Sequence, residues 1–224
     1  MAHPRLAVLA SFLFIAACGG APGPVAEAPP AASVAPASSK SFDGAGWATF
    51  HSKRFELSLR FPDGPAWKID DHRSPWLRAT HDGTRSKIAL RAWREEENVT
   101  RAACYARARG WDPNLPDLDR ARLLEDDARP VDGQPARVVV GLDGVAEGAS
   151  IGGFVLAIVG DVRRCLLVAY QTEAAGPAAE GDVADRLAIV AERLLATIKL
   201  DQSFAPSRVP AIPSRPGPGG GGSR

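Results

Sequence analysis

The sequence predicts an α+β domain: a mainly antiparallel sheet of about six to seven strands, flanked by helices. Three observations predict it. Residues 55–61 alternate apolar and polar side chains, the period of a half-buried strand. Residues 137–172 hold apolar, β-branched runs separated by turn dipeptides. Residues 183–198 carry apolar side chains at helical spacing. Strands, then a helix, then four strands and a closing helix form an order unlike the strand–helix alternation that builds a parallel sheet.

Only part of the chain has the material for a core. Residues 19–41 are almost wholly Ala, Pro, Gly and Ser, and residues 201–224 end in SRVPAIPSRPGPGGGGSR. Such segments bury too little apolar area to offset their ordering entropy, so both are expected to be disordered. Residues 42–200 hold all the tryptophans and both tyrosines and form the expected domain. That span carries 22 Lys and Arg against 24 Asp and Glu. A balance so near neutral argues against a nucleic-acid partner, which requires a strongly basic face.

In chain order, Phe55, Leu57, Leu59 and Phe61 form the first strand, stopped by Pro62-Asp63-Gly64-Pro65. Trp67-Lys68-Ile69 and Trp76–His81 form the second and third, and Asp82-Gly83-Thr84-Arg85 turns the chain into Lys87–Arg94. Thr100 is placed to cap a helix that stops at Gly110. Ala121–Ala128 reads as an edge strand, and Val131-Asp132-Gly133-Gln134-Pro135 as a turn into Arg137–Leu142. Phe154–Val159 and Arg164–Thr172 pair across Gly160-Asp161, and their continuous apolar runs suit central strands covered on both faces. Asp182 is expected to cap the last helix, whose apolar stripe is Val183, Leu187, Val190, Leu194 and Ile198.

The N-terminus has its own logic. Met1–Arg5 is short and carries one arginine, and Leu6–Ala17 is an uncharged apolar run broken only by Ser11, too short for a mature membrane span but right for a signal peptide. It ends at Ile15-Ala16-Ala17-Cys18, which resembles the lipobox of bacterial lipoproteins. The resemblance implies cleavage before Cys18 after a diacylglycerol is attached to its thiol, and membrane attachment through that lipid. By resemblance to Gram-negative lipoproteins, Gly19 in place of an inner-membrane-retaining aspartate implies the outer membrane, facing the periplasm or the cell surface. Cys104 and Cys165 remain, and two cysteines in an oxidising compartment form a natural disulfide. Two separate buried thiols, or a two-thiolate metal site, are the alternatives, the latter without further ligands at short spacing.

The opening FELSLRFPDGPAWKI, the turn-strand VDGQPARVVVGL and the final amphipathic helix resemble the PsbP-like family of lumenal and periplasmic proteins. The resemblance implies the α+β fold and an accessory or assembly role on a larger complex.

No catalytic motif appears in its required context: Gly148-Ala149-Ser150-Ile151-Gly152 has the spelling GxSxG but leads into the Phe154–Val159 strand rather than a helix, and there is no HExxH and no cysteine left for nucleophilic work. No metal ligand set and no cofactor is expected. The polar constellation of interest is Asp70-Asp71-His72 with His81, where Asp70 and His72 at i, i+2 share a strand face. Trp67 and Trp76 are expected in the core, whereas Trp93 falls on the face of Lys87 and Arg91 and is the candidate surface anchor for a partner. Three functions are thereby in view. The first is a non-catalytic envelope lipoprotein docking on a protein complex, and the second a carrier of a small apolar or metal ligand. The third is a hydrolase built on Asp70–His72.

Overall fold

The computed structural model describes residues 42, 46–146 and 150–201, so the expected signal peptide, Cys18, the tether and the C-terminal tail lie outside the described residues. The domain is α+β, with a large antiparallel sheet of seven strands and a small sheet of three. The small sheet is formed by β1 (Ala48–Ser52), β2 (Leu57–Phe61) and β10 (Lys199–Leu200). The large sheet uses β3 (Trp67–Asp70), β4 (Leu77–His81), β5 (Ser86–Arg94), β6 (Arg122–Val131), β7 (Gln134–Ala146), β8 (Ser150–Asp161) and β9 (Arg164–Ala174). Its spatial order is β3-β4-β5-β9-β8-β7-β6, which places the apolar strands β8 and β9 in the middle.

Both faces of that sheet are covered. Helix α1 (Arg101–Trp111) lies on one face, over Trp93, Val139, Phe154, Leu156, Ile158, Cys165 and Leu167. The other face carries Ile88, Leu90, Val138, Val155, Ala157, Val168 and Tyr170, buried beneath the small sheet and the closing helix. That helix, α2, runs over Ala179–Ile189 and continues through a π-helical turn at Val190–Leu194 to Thr197. Each helix is seated on a glycine of β8, on opposite faces. A Cβ at Gly160 would stand 2.7 Å from the Arg101 nitrogen at the start of α1, and one at Gly153 would meet Val183 and Leu187 of α2. A side chain at either site would push a helix off the sheet.

Several local expectations are adjusted. Phe55 precedes the first strand rather than belonging to it, because Glu56 takes a left-handed backbone (φ 51°) between them. β1 and β10 carry no clear alternation and were not expected. Thr100 caps α1, accepting from the Ala103 N–H at 3.2 Å. Asp182 does not cap α2; the helix begins at Ala179, and Asp182 joins Glu180 in its first turn, where a carboxylate favours the helix dipole. The β8–β9 turn falls on Val162-Arg163, two residues beyond the Gly160-Asp161 dipeptide, since Gly160 is needed inside the strand against α1.

The two sheet edges differ. β3 is four residues long, and β6 is a ten-residue strand with nearly every side chain exposed. Arg129 of β6 pairs with Glu125 (2.6 Å) and Asp127 (3.3 Å), and Arg137 of β7 reaches Asp126 with both its Nε (2.8 Å) and Nη2 (2.7 Å). A charged ladder of this kind discourages strand-to-strand association at an open edge.

Candidate functional site

Asp70 closes β3 opposite Arg78. Its Oδ1 accepts the backbone N–H of His72 (3.0 Å) and of Arg73 (3.1 Å). Those bonds, the one from Arg73 foremost, hold the Asp70 carboxyl below its ordinary range. The strand-borne Asp70–His72 pair therefore does not form: the chain turns at Asp70 and the alternation of faces ends there. The His72 ring, 87% exposed, instead meets Asp71, with Nε2 2.9 Å from Oδ1. Asp71 also accepts from Ser52 Oγ (3.0 Å), while Arg54 donates to the carbonyls of Asp71 (2.9 Å) and His72 (2.7 Å). The segment is strapped to the small sheet by these contacts.

His81 lies at the other end of the same strand pair, opposite Trp67. It is buried, and its two ring nitrogens have different partners. Nδ1 accepts the Thr84 N–H (3.1 Å), which leaves the proton on Nε2, 3.1 Å from Asp63 Oδ2. Thr84 Oγ1 stands 2.9 Å from Nδ1 and donates to Ser86 Oγ (2.8 Å). Ser86 Oγ is in turn 2.9 Å from the Tyr170 hydroxyl and 3.0 Å from Thr172 Oγ1. Burial pushes the Tyr170 phenol up, against the opposing pull of Ser86 and Thr172. A carboxylate, an imidazole and two hydroxyls in series have the composition of a nucleophilic relay. With His81 at 2%, Thr84 at 2% and Ser86 at 3% exposure, no substrate atom reaches them. Their effect is to lock the β4–β5 turn.

Sequence reading missed the far end of this network. Arg186 is 4% exposed, and its Nη1 faces the Thr84 carbonyl (3.0 Å), Thr172 Oγ1 (3.2 Å) and the Glu173 carbonyl (3.2 Å). The signal was available: Arg186 stands three residues after Val183 and four before Val190, inside the apolar stripe of α2.

Trp93 requires a correction. Expected on an outward face, it is 8% exposed beneath α1, with Nε1 donating to Glu95 Oε1 at 2.8 Å. Alternation separates two faces of a strand but does not say that either meets water, and here α1 covers the second face. The outward aromatic is Trp111, the last residue of α1, at 41% exposure. Its ring lies edge-on to Trp93 (centroids 5.1 Å apart) and beneath the Arg91 guanidinium at 3.9 Å. Arg91 also stands 6.0 Å from the ring of Trp76, and burial draws its pKa below the ordinary guanidinium value. Trp67 and Trp76 are core residues.

Cys104 of α1 and Cys165 of β9 are joined in a disulfide, with Cα atoms 5.7 Å apart. Among the described residues no cluster of three or more His, Cys, Asp or Glu side chains is placed to hold a metal, and no helix is long and apolar enough to cross a membrane.

No family model matches the chain, and no curated protein does. Among solved structures, the Ran-binding protein Mog1p of Saccharomyces cerevisiae aligns over 71% of this chain and 98% of its own, at 9% identity and a TM-score of 0.49. LpqN of Mycobacterium tuberculosis, described as involved in cell envelope biogenesis, aligns over 64% and 82% at 12% identity and a TM-score of 0.34. A Bacteroides thetaiotaomicron protein aligns over 68% of this chain at 13% identity and a TM-score of 0.39, and this chain spans about half (47%) of its length. All three scores fall below one half, so none assigns this chain a family or a function.

Proposed function

We propose that the chain is an exported, lipid-anchored lipoprotein of the bacterial envelope, facing the periplasm from the outer membrane, and that its domain docks non-catalytically on an envelope protein. The anchor rests on Leu6–Ala17 and the Ile15-Ala16-Ala17-Cys18 sequence. The Cys104–Cys165 bond suits the same oxidising compartment.

The docking reading is carried by Trp111. An indole 41% exposed, oriented by Arg91 above and Trp93 beside it, is an ordered apolar anchor at the surface. Tryptophan and arginine together are the residues that most often dominate the energy of a protein interface. Asp70, His72 and His81, by contrast, are occupied in holding turns.

Two substitutions test the two halves. Cys18→Ser should move the protein from the membrane to the soluble fraction, and a chain that stays with the membrane defeats the anchor. Trp111→Ala should abolish cross-linking to a stoichiometric partner in intact envelopes while leaving the thermal midpoint nearly unchanged. Partner recovery equal to that of the parent chain defeats docking through this face.

A further inference from the structure

We propose that a groove at Trp47, on the side of the domain away from α1, binds the anionic phospholipid headgroups of the membrane to which the chain is tethered. The groove measures about 430 Å³ and is lined by Trp47, Arg60, Glu192, Arg193, Ala196 and Thr197. Thr49 pairs with Arg60 in the small sheet, so Trp47, Thr49 and Arg60 share its outer face while Leu59 and Phe61 point into the core. Arg193 projects from the π-helical turn. The two guanidiniums stand 5.0 Å (Arg193) and 5.9 Å (Arg60) from the Trp47 ring centroid.

Neither arginine makes an ion pair among the described residues, whereas Arg78, Arg109, Arg129 and Arg137 each have a carboxylate. Glu192 shares the groove and offsets one of the two charges, leaving a net positive site. A guanidinium held against an indole keeps its N–H edge for an oxygen acceptor, and a phosphate presents oxygens at the matching spacing. Indole rings favour the headgroup layer of a bilayer, where an apolar body and a polar edge are both satisfied.

The occupant is identified by the chain that leads to the groove. Phe42 is seated in the core 24 residues after Cys18, and Trp47 follows five residues later. Twenty-four residues span no more than about 85 Å even when fully extended, so the groove stays within reach of the headgroup layer. This step rests on the anchored reading above. The contact itself is weak and salt-sensitive, since two arginines at a screened surface add only modestly to the lipid anchor.

The processed chain isolated from envelopes is reconstituted with vesicles of phosphatidylcholine alone, or of phosphatidylcholine with phosphatidylglycerol, and amide hydrogen exchange is followed. Trp47–Ser52 and Glu192–Thr197 should exchange more slowly on the anionic vesicles, with the rest of the domain unchanged. In the Arg60→Gln/Arg193→Gln variant that protection should fall by about fivefold per arginine while the chain stays with the vesicles. Equal exchange on the two vesicle types, or undiminished protection in the variant, overturns the proposal. So does inorganic phosphate that protects the same segments equally without vesicles, which assigns the groove to free anions. Protection that needs added envelope extract assigns it to a protein, and overturns it likewise. A failed anchor is seen separately, as a chain that does not partition into the neutral vesicles.

Discussion

Asp132 and Gly133 turn β6 into β7 through left-handed backbone, with φ of 48° and 73°. Val162 and Arg163 turn β8 into β9 with φ of 34° and 66°. The backbone demand is similar; the residues are not. Asp-Gly accommodates positive φ readily, and this turn was legible in the sequence for that reason. A β-branched valine there is held against its preference, at a cost on the order of 1 kcal/mol, by the long ladder it connects. Val162 is 64% exposed, so its side chain returns little in packing. Val162→Asn/Arg163→Gly should therefore stabilise the domain by about 1 kcal/mol, read as a higher urea midpoint at unchanged slope. An unchanged or lowered midpoint would show that Val162 contributes something beyond the turn.

The strands and both helices were readable because alternation and the apolar stripe mark elements buried on one side. What covers each face was not. Residues 87–93 divide cleanly into Ile88, Leu90 and Ala92 against Lys87, Ala89, Arg91 and Trp93, yet only the arrival of α1 decides that Trp93 is interior. Two features fix that arrival: the close seat on Gly160 and the disulfide from Cys104 to Cys165. The bond closes a loop with a sequence separation of 61, worth roughly 4 kcal/mol in the loop-entropy account. Cys104→Ala/Cys165→Ala should lose about 2–4 kcal/mol by urea unfolding, and a loss under about 1 kcal/mol would mean that packing on Gly160 alone holds α1. The β6 edge responds to pH instead. Arg137 holds Asp126 below its ordinary range, so the pair stabilises the fold above the unfolded carboxylate pKa and is lost as pH falls through the depressed folded value. Because the pair is exposed, Asp126→Asn should flatten the acid limb of stability below about pH 4 by no more than about 1 kcal/mol. An acid limb identical to the parent's would show that the pair contributes nothing.

Proximity in sequence was the weakest guide to the site. Asp70, His72 and His81 fall within a dozen residues, but antiparallel register sends His81 to Trp67 and leaves Asp70 opposite Arg78, at opposite ends of one strand pair. The network that His81 does join depends on Tyr170, Thr172 and Arg186, brought by β9 and α2 from about a hundred residues away, and no local pattern announces such partners. Trp111 was hidden differently, behind a helix whose other apolar positions are mostly alanine.

Phe42 has a mechanical consequence. It is 3% exposed, its ring 6.3 Å from that of Trp67 and 5.5 Å from that of His81. Tension applied to the chain ahead of Phe42 thus enters at a wedged aromatic rather than at the first residues of β1. The ring must be drawn from its socket before any strand can be peeled, so the attachment yields abruptly under load instead of fraying.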